Sequence, residues 1–422
     1  MILNIRVNNY LAYSHNTDLS LVADMRIKKF SFNVKEIAGF NVLKSACIYG
    51  ANNVGKSCLM RAVNSIKNVL LGYVAEVPTN IFNNDNRCSL GVTFDYDGKI
   101  YSYDFTYDLT FVSPQVKRGF IYERFAELSM DVHGNIAERE IFVRDMDNNL
   151  YKFDGNGELA ILLGAVSANN ILIYTINNEK YSEVEKCRSI LRGFADSIDI
   201  INMYNIPIIK TLQVLKDHSD LMKKTVDLIK LADLDIDDYK YIKNVASPVS
   251  NEQNILYENA LNVIAPEDIL YLTSVHKGKA VQSLIFDSTG TKKIVALASY
   301  IADALSNGRI LIIDELDSSL HFKLTRAIVS LFNNELNASS QLLFTAQDAM
   351  LLDCKKLFRK DQIWFAAKNE SGAYIYPLSK YTAQKDNIRS ETDLIERYKS
   401  GEIGELPIPD LISILLGDDE DE

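Results

Sequence analysis

The sequence predicts an α/β fold carrying an antiparallel β lobe and an inserted compact helical lobe, and three observations support that reading. First, the apolar run Val42 to Tyr49 meets the glycine-rich segment Gly50-Ala51-Asn52-Asn53-Val54-Gly55-Lys56-Ser57, after which Leu59, Ala62, Val63, Ile66, Val69 and Leu70 recur at helical spacing. Second, the run Ile310 to Ile313 ends in two adjacent acids, Asp314 and Glu315, as when a buried central strand delivers charge to the C-terminal edge of a sheet. Third, the region from Cys88 to about Lys152 alternates aromatic and polar residues, the period of half-buried strands.

Taken in order, residues 1–84 read as the first half of a core, with strand candidates at Leu19 to Ala23 and Phe30 to Val34. Residues 85–158 form the β lobe, in which Val92 to Tyr96 and Lys99 to Phe105 are joined by the turn dipeptide Asp97-Gly98. Residues 159–245 read as helical: Val184, Cys187, Ile190, Leu191, Phe194 and Ile198 make one stripe, and Leu212, Leu215, Met222, Val226 and Ile229 another. Neither persists as a heptad repeat, so the insertion is a compact lobe and not a long coiled coil. Residues 246–416 hold the second half of the core, with a helix carrying Ile294, Leu297, Ala298, Ile301 and Leu305, and residues 417–422 are an acidic, self-repelling tail.

Composition narrows the classes. The 422 residues exceed one average core, favouring a large domain with insertions. No apolar run reaches the roughly 18 residues of a membrane helix, and the N-terminus lacks the pattern of a signal peptide, so the reading is a soluble, cytoplasmic chain without membrane contact. The five cysteines are scattered without a C-x-x-C, and the five histidines lie apart, which argues against disulfides, zinc or any metal beyond Mg²⁺. A formal charge of −11 confines any nucleic-acid contact to a local patch.

The glycine-rich segment is a complete G-x-x-x-x-G-K-S, a Walker A loop. Backbone N–H groups along Gly50, Asn52, Asn53, Val54, Gly55, Lys56, Ser57 and Cys58 can wrap phosphate oxygens at a helix N-terminus, Lys56 can reach the β and γ phosphates, and the Ser57 hydroxyl can bind Mg²⁺. In the Walker B reading of Asp314-Glu315, Asp314 serves Mg²⁺ and Glu315 polarises the attacking water. Asp287-Ser288-Thr289-Gly290-Thr291 precedes the helix before that strand; taken alone it is a helix cap.

The order Walker A, long insertion, Ser288-Thr289-Gly290-Thr291, then Asp314-Glu315-Leu316-Asp317-Ser318-Ser319-Leu320-His321 resembles the ABC-type ATPases of the RecF/SMC/OLD class, and within it the abortive-infection branch, similar to the ATPase subunits of Septu and PARIS. That resemblance rests also on Leu228 to Leu234, Arg359 to Phe365 and Tyr398 to Gly404. It implies hydrolysis of ATP to ADP and phosphate with Mg²⁺, and a homodimer or higher homo-oligomer assembled head to tail. Ser288, Gly290 and Thr291 then act in trans as a signature on the partner's nucleotide. It further implies an anti-phage sensor or regulator that controls a separately encoded effector, a nuclease or toxin, and answers a DNA or phage-derived trigger. Where relatives carry a switch histidine this chain has Gln347, whose amide can orient water but takes up no proton, which implies slow hydrolysis. The roughly 75 residues after Gln347 fall short of the ~100 of an independent domain, so no built-in nuclease is expected. Two other readings stay open: a RecF-like DNA-repair ATPase using basic clusters such as Lys355-Lys356 and Arg359-Lys360, and a nucleotide-locked assembly scaffold with little turnover.

Overall fold

The computed structural model describes residues 1–73, 77–109, 111–113, 116–117, 119–131, 133–176, 180–217, 219–232, 235–242, 267–382, 386 and 392–404. Two sheets sandwich one helix. The strands along the chain are β1 (Ile2–Asn8), β2 (Thr17–Ser20), β3 (Val34–Ile37), β4 (Phe40–Leu43), β5 (Ser45–Tyr49), β6 (Arg87–Tyr96), β7 (Lys99–Asp108), β8 (Phe111–Ser113), β9 (Val116–Lys117), β10 (Phe120–Met130), β11 (Ile136–Asp145), β12 (Leu150–Phe153), β13 (Ile198–Asn202), β14 (Asp238–Tyr241), β15 (Leu272–His276), β16 (Lys279–Gln282), β17 (Ile310–Asp314), β18 (Gln341–Ala346), β19 (Ile363–Asn369) and β20 (Gly372–Pro377). A core sheet runs β13-β17-β18-β5-β19-β20, parallel except for β20, and a seven-stranded antiparallel sheet runs β12-β11-β10-β7-β6-β1-β2.

Helix α1 (Lys56–Leu70) lies between the two sheets. Alternate residues of the core strands face it: Ala46 and Ile48 of β5, Ile310 and Ile312 of β17, and Leu343 of β18 join Leu59, Val63 and Ile66 of α1 and Ile5, Leu90 and Phe94 of the antiparallel sheet. The intervening residues, Cys47, Tyr49, Leu311, Ile313 and Phe344, face the opposite way onto Leu297 and Ile301 of the helix Thr289–Asn307 and Ile328 and Phe332 of the helix Phe322–Phe332. Strands covered on both faces must be apolar throughout, and each large aliphatic side chain so buried stabilises the fold by about 1.5–3 kcal/mol.

Three local expectations give way. The stripe ending at Ile198 runs past its helix: Ser182–Asp196 is helical, but Ile198–Asn202 is β13, paired in parallel with β17 from Ile198↔Ile310 to Asn202↔Asp314. Five residues are too few to separate a period of 2 from 3.6, so a core strand hides within the stretch 159–245. The helix before it also belongs to the body, because Phe194 stacks on Phe94 of β6 at 3.9 Å between ring centroids. The outlying unit is smaller: Leu212, Leu215, Ile229, Ile236, Tyr239 and Leu272 close a separate core against Val295 and Ala298 of the helix Thr289–Asn307. Phe30 to Val34 is not one strand. Phe30 adopts φ 54°, Ser31–Asn33 make a 3₁₀ turn, and the buried Asn33 amide donates to Gln362 Oε1 at 2.8 Å and the Leu357 carbonyl at 3.2 Å. The run Val42 to Tyr49 is divided at Lys44, whose ammonium reaches the Asn334 carbonyl at 2.8 Å, so only Ser45–Tyr49 leads into the glycine-rich loop.

The edge strand β13 is fastened by charge. Lys210 Nζ lies 3.0 Å and Arg309 Nε 2.9 Å from Asp199 Oδ2. Burial pushes the Asp199 carboxyl up, but the hydrogen bond and charge of Arg309, with the charge of Lys210, outweigh it and hold the group below its ordinary value. A carboxylate depressed in the folded state adds stability that is complete above its unfolded pKa of about 3.9 and is lost as pH falls through the native value. Asp199→Asn is expected to cost about 1–2 kcal/mol near neutral pH, with the gap from wild type narrowing as pH falls below the unfolded value of about 3.9 in chemical denaturation. A gap independent of pH would show that the loss is one of packing.

Candidate nucleotide site

The glycine-rich loop leaves β5 at the C-terminal edge of the core sheet and closes into α1. Gly50 has φ 156°, and a Cβ placed there would stand 2.4 Å from the Ala366 carbonyl oxygen, so only glycine lets β19 pass. Asn53 at φ 63° and Gly55 at φ 96° carry the left-handed turn of the loop. Tyr13, fully buried, donates its hydroxyl hydrogen to the Gly55 carbonyl at 3.0 Å and so supports the loop from beneath. Asn52 and Asn53 are exposed, while Val54, Ser57 and Cys58 are half-buried. Lys56, 6 % exposed, donates to the Gly50 and Ala51 carbonyls, both at 2.7 Å. Burial pulls its ammonium below the ordinary lysine value, opposed by the charges of Glu315, Asp314 and Asp317, so these acids stand within electrostatic reach of the loop.

Asp314 closes β17 and is 8 % exposed. Its Oδ1 accepts from Thr345 Oγ1 at 2.7 Å and its Oδ2 from Asn202 Nδ2 at 3.3 Å, hydrogen bonds from both neighbouring strands that fix the carboxylate. Thr345 Oγ1 in turn accepts from the Glu315 backbone N–H at 2.7 Å, so one buried hydroxyl ties both acids. Glu315 turns to φ 59°, a left-handed conformation costing of order 1 kcal/mol for a non-glycine residue, and its side chain leaves the strand direction. Gln347 Nε2 donates to Glu315 Oε1 at 3.2 Å. The Gln347 and Asp348 N–H groups converge on Asp317 Oδ2 at 2.7 and 2.5 Å, joining the turn after β17 to the end of β18. Tyr204 lies beside Glu315, whose hydrogen bond and charge push its phenol up.

Ser288 is the N-cap of the helix Thr289–Asn307, so the helix already begins inside the segment Asp287 to Thr291 expected to precede it. Its hydroxyl accepts from the Thr291 N–H at 3.1 Å and pairs with Thr291 Oγ1 at 2.9 Å. A Cβ on Gly290 would come 3.4 Å from the Ser319 carbonyl, and Lys293 Nζ donates to Ser319 Oγ at 3.0 Å. This segment therefore packs on the turn after β17 of its own chain. His321 caps the helix Phe322–Phe332, accepting from the Lys323 N–H at 3.3 Å.

A triphosphate's Mg²⁺ takes most of its oxygens from phosphate and water and only one or two from protein, which matches one hydroxyl, Ser57, and one oriented carboxylate, Asp314. Among the described residues no group of three or more His, Cys, Asp or Glu side chains gathers as a larger metal cage. The structure thus brings the expected Lys56, Asp314, Glu315 and Gln347, with Asp317 of the same acidic motif, to one sheet edge, and adds Tyr13, Asn202, Tyr204 and Thr345. Thr345 had a sequence signal, since a hydroxyl ending the apolar run Leu342 to Phe344 must find a buried partner; the others have no local pattern.

Among solved structures, the SMC head domain from Thermotoga maritima is similar at 11 % identity and a TM-score of 0.42, over 89 % of this chain and 98 % of that one. An SMC head bound to the C-terminal winged-helix domain of ScpA is similar at 11 % identity and a TM-score of 0.43, over 91 % and 99 %. No curated protein matches the sequence. The model of one family, described as "AAA domain, putative AbiEii toxin, Type IV TA system", matches residues 45–353, a span that takes in the glycine-rich loop, Ser288, Asp314, Glu315 and Gln347, and the chain belongs to that family.

Proposed function

We propose that this chain is an ATPase that dimerises head to tail around ATP and, through its nucleotide state, controls a separately encoded effector in bacterial anti-phage defence. The observation that carries the ATPase reading is the convergence of the Lys56 ammonium, the Thr345-tied acids Asp314 and Glu315, and the Gln347 amide at the C-terminal edge of the core sheet. Ser57 and Asp314 would hold Mg²⁺, which would supply neutralising charge at the phosphates. Lys56 gives up the Gly50 and Ala51 carbonyls for β- and γ-phosphate oxygens. Gln347 orients water, and Glu315 accepts its proton as the water oxygen bonds to the γ-phosphorus and the bond to the β-phosphate oxygen breaks, yielding ADP and phosphate. The defence role is supported by the family and by the order of motifs. Among the described residues no helix is long and apolar enough to cross a membrane.

Lys56→Ala tests the ATP reading directly. Loss of charge-assisted hydrogen bonds worth about 1.5–3 kcal/mol is expected to weaken ATP binding on the order of 10- to 100-fold in calorimetry. Unchanged affinity would remove the glycine-rich loop from the nucleotide site.

A further inference from the structure

Directly before Ser288 stands a carboxylate that the chemistry above does not use. The Asp287 side chain is wholly buried, and each oxygen is held by a different element. Its Oδ1 accepts from Ser274 Oγ of β15 at 2.7 Å, and its Oδ2 accepts from Ser283 Oγ of the helix Ser283–Phe286. Ser283 Oγ in turn accepts from the Tyr239 hydroxyl of β14 at 2.7 Å. His276, also on β15, places Nε2 3.2 Å from Asp287 Oδ1 and 3.1 Å from Ser274 Oγ, and Nδ1 2.8 Å from the Asp235 carbonyl. A carboxylate buried this completely is tolerable only while its hydrogen bonds last, so it locks the residue that carries it to the three-stranded sheet β14-β15-β16. One peptide link further on, Ser288 takes the extended conformation of an N-cap, φ −64° and ψ 161°, which aims the helix Thr289–Asn307.

The geometry points to Asp287 as a positioning residue for the trans site: with Ser274, Ser283 and His276 it sets where Ser288 and Gly290 meet the partner's nucleotide, and makes β14-β15-β16 the element that controls this placement. This rests on the head-to-tail reading of Ser288. Asp287 touches no nucleotide itself. Its contribution appears in turnover and ATP-dependent dimerisation and leaves the chain's own Walker A loop intact.

The test is complementation between full-length chains. Asp287→Asn and Ser288→Arg are each measured alone and mixed with Lys56→Ala, reading ATP turnover and the mass of the ATP-bound species. Alone, Asp287→Asn is expected to lose on the order of tenfold in turnover, with ATP affinity unchanged. Mixed with Lys56→Ala it regains activity, because the mixed dimer pairs an intact Walker A loop from one chain with an intact signature from the other. Ser274→Ala, which removes one donor and keeps the carboxylate, shows a smaller defect with the same rescue, and carries the test if Asp287→Asn does not fold. If Ser288→Arg loses activity and is rescued while Asp287→Asn and Ser274→Ala match wild type, or lose activity without rescue, the positioning role is overturned and the trans reading stands. If Ser288→Arg turns over ATP as wild type does, the trans reading falls and this inference falls with it.

Discussion

Glu315→Gln is expected to lower ATP turnover by about 10²- to 10⁴-fold, the usual contribution of a general base, while ATP binding persists and the ATP-bound dimer accumulates. The exchange is nearly isosteric. Glutamine can keep the left-handed backbone at this position, the N–H bond to Thr345 and an oxygen facing the Gln347 amide, but it cannot take a proton from water. Single-turnover kinetics beside solution mass read both arms. Undiminished turnover would disprove Glu315 as the base. No turnover in wild type or variant, with nucleotide retained and assembly unchanged, would favour the nucleotide-locked scaffold, and would turn attention to Gln347, which sits against Glu315 where an imidazole could have moved a proton.

Arg144→Met is expected to destabilise the fold by about 3–5 kcal/mol, the cost of leaving a buried charge without its partner. Arg144 and Glu123 form a salt bridge with neither side chain exposed to solvent. Tyr103 donates to Glu123 Oε1 at 2.7 Å and the Leu172 N–H to Oε2 at 3.2 Å. Arg144 also donates to the Asn170 carbonyl at 3.0 Å. Burial pushes the Glu123 carboxyl up despite the opposing charge of Arg144, so removing the guanidinium leaves this acid with little to hold its charge. The pair sits on β10 and β11 and reaches the segment 166–172, joining the antiparallel sheet to the helical region. Chemical denaturation checks the loss, and the double variant Glu123→Leu/Arg144→Met, which removes both charges, should recover most of it. A double variant no more stable than Arg144→Met would mean that the damage lies in packing and not in the orphaned charge.

How much could be read from the chain follows from where each signal lives. The loop Gly50 to Ser57 is contiguous, and its neighbours, a doubly buried strand and an amphipathic helix, impose the apolar run and the 3.6-residue period that mark them. Asp314 and Glu315 end a strand buried on both faces and are legible for the same reason. The turn Asp97-Gly98 is written in two residues that both take positive φ, 52° and 71°. By contrast, β13 is five residues long and follows a helix whose stripe it continues, so its place beside β17 is decided by pairing with a strand more than 100 positions away. Asn33 and Lys44 interrupted apolar patterns because their polar groups are satisfied by distant chain, Gln362 and Asn334.

The sequence by itself determined the α/β class, the glycine-rich loop and the two adjacent acids, because each is enforced by local backbone geometry or by burial of a single element. Only the tertiary structure decided that Thr345 and Asn202 orient Asp314, that Gln347 and Tyr204 lie against Glu315, that Tyr13 supports Gly55, and that Asp287 is locked to β15. Those contacts bridge strands and loops remote in sequence, and a hydrogen bond between such residues depends on how whole elements pack, a distance no local periodicity records.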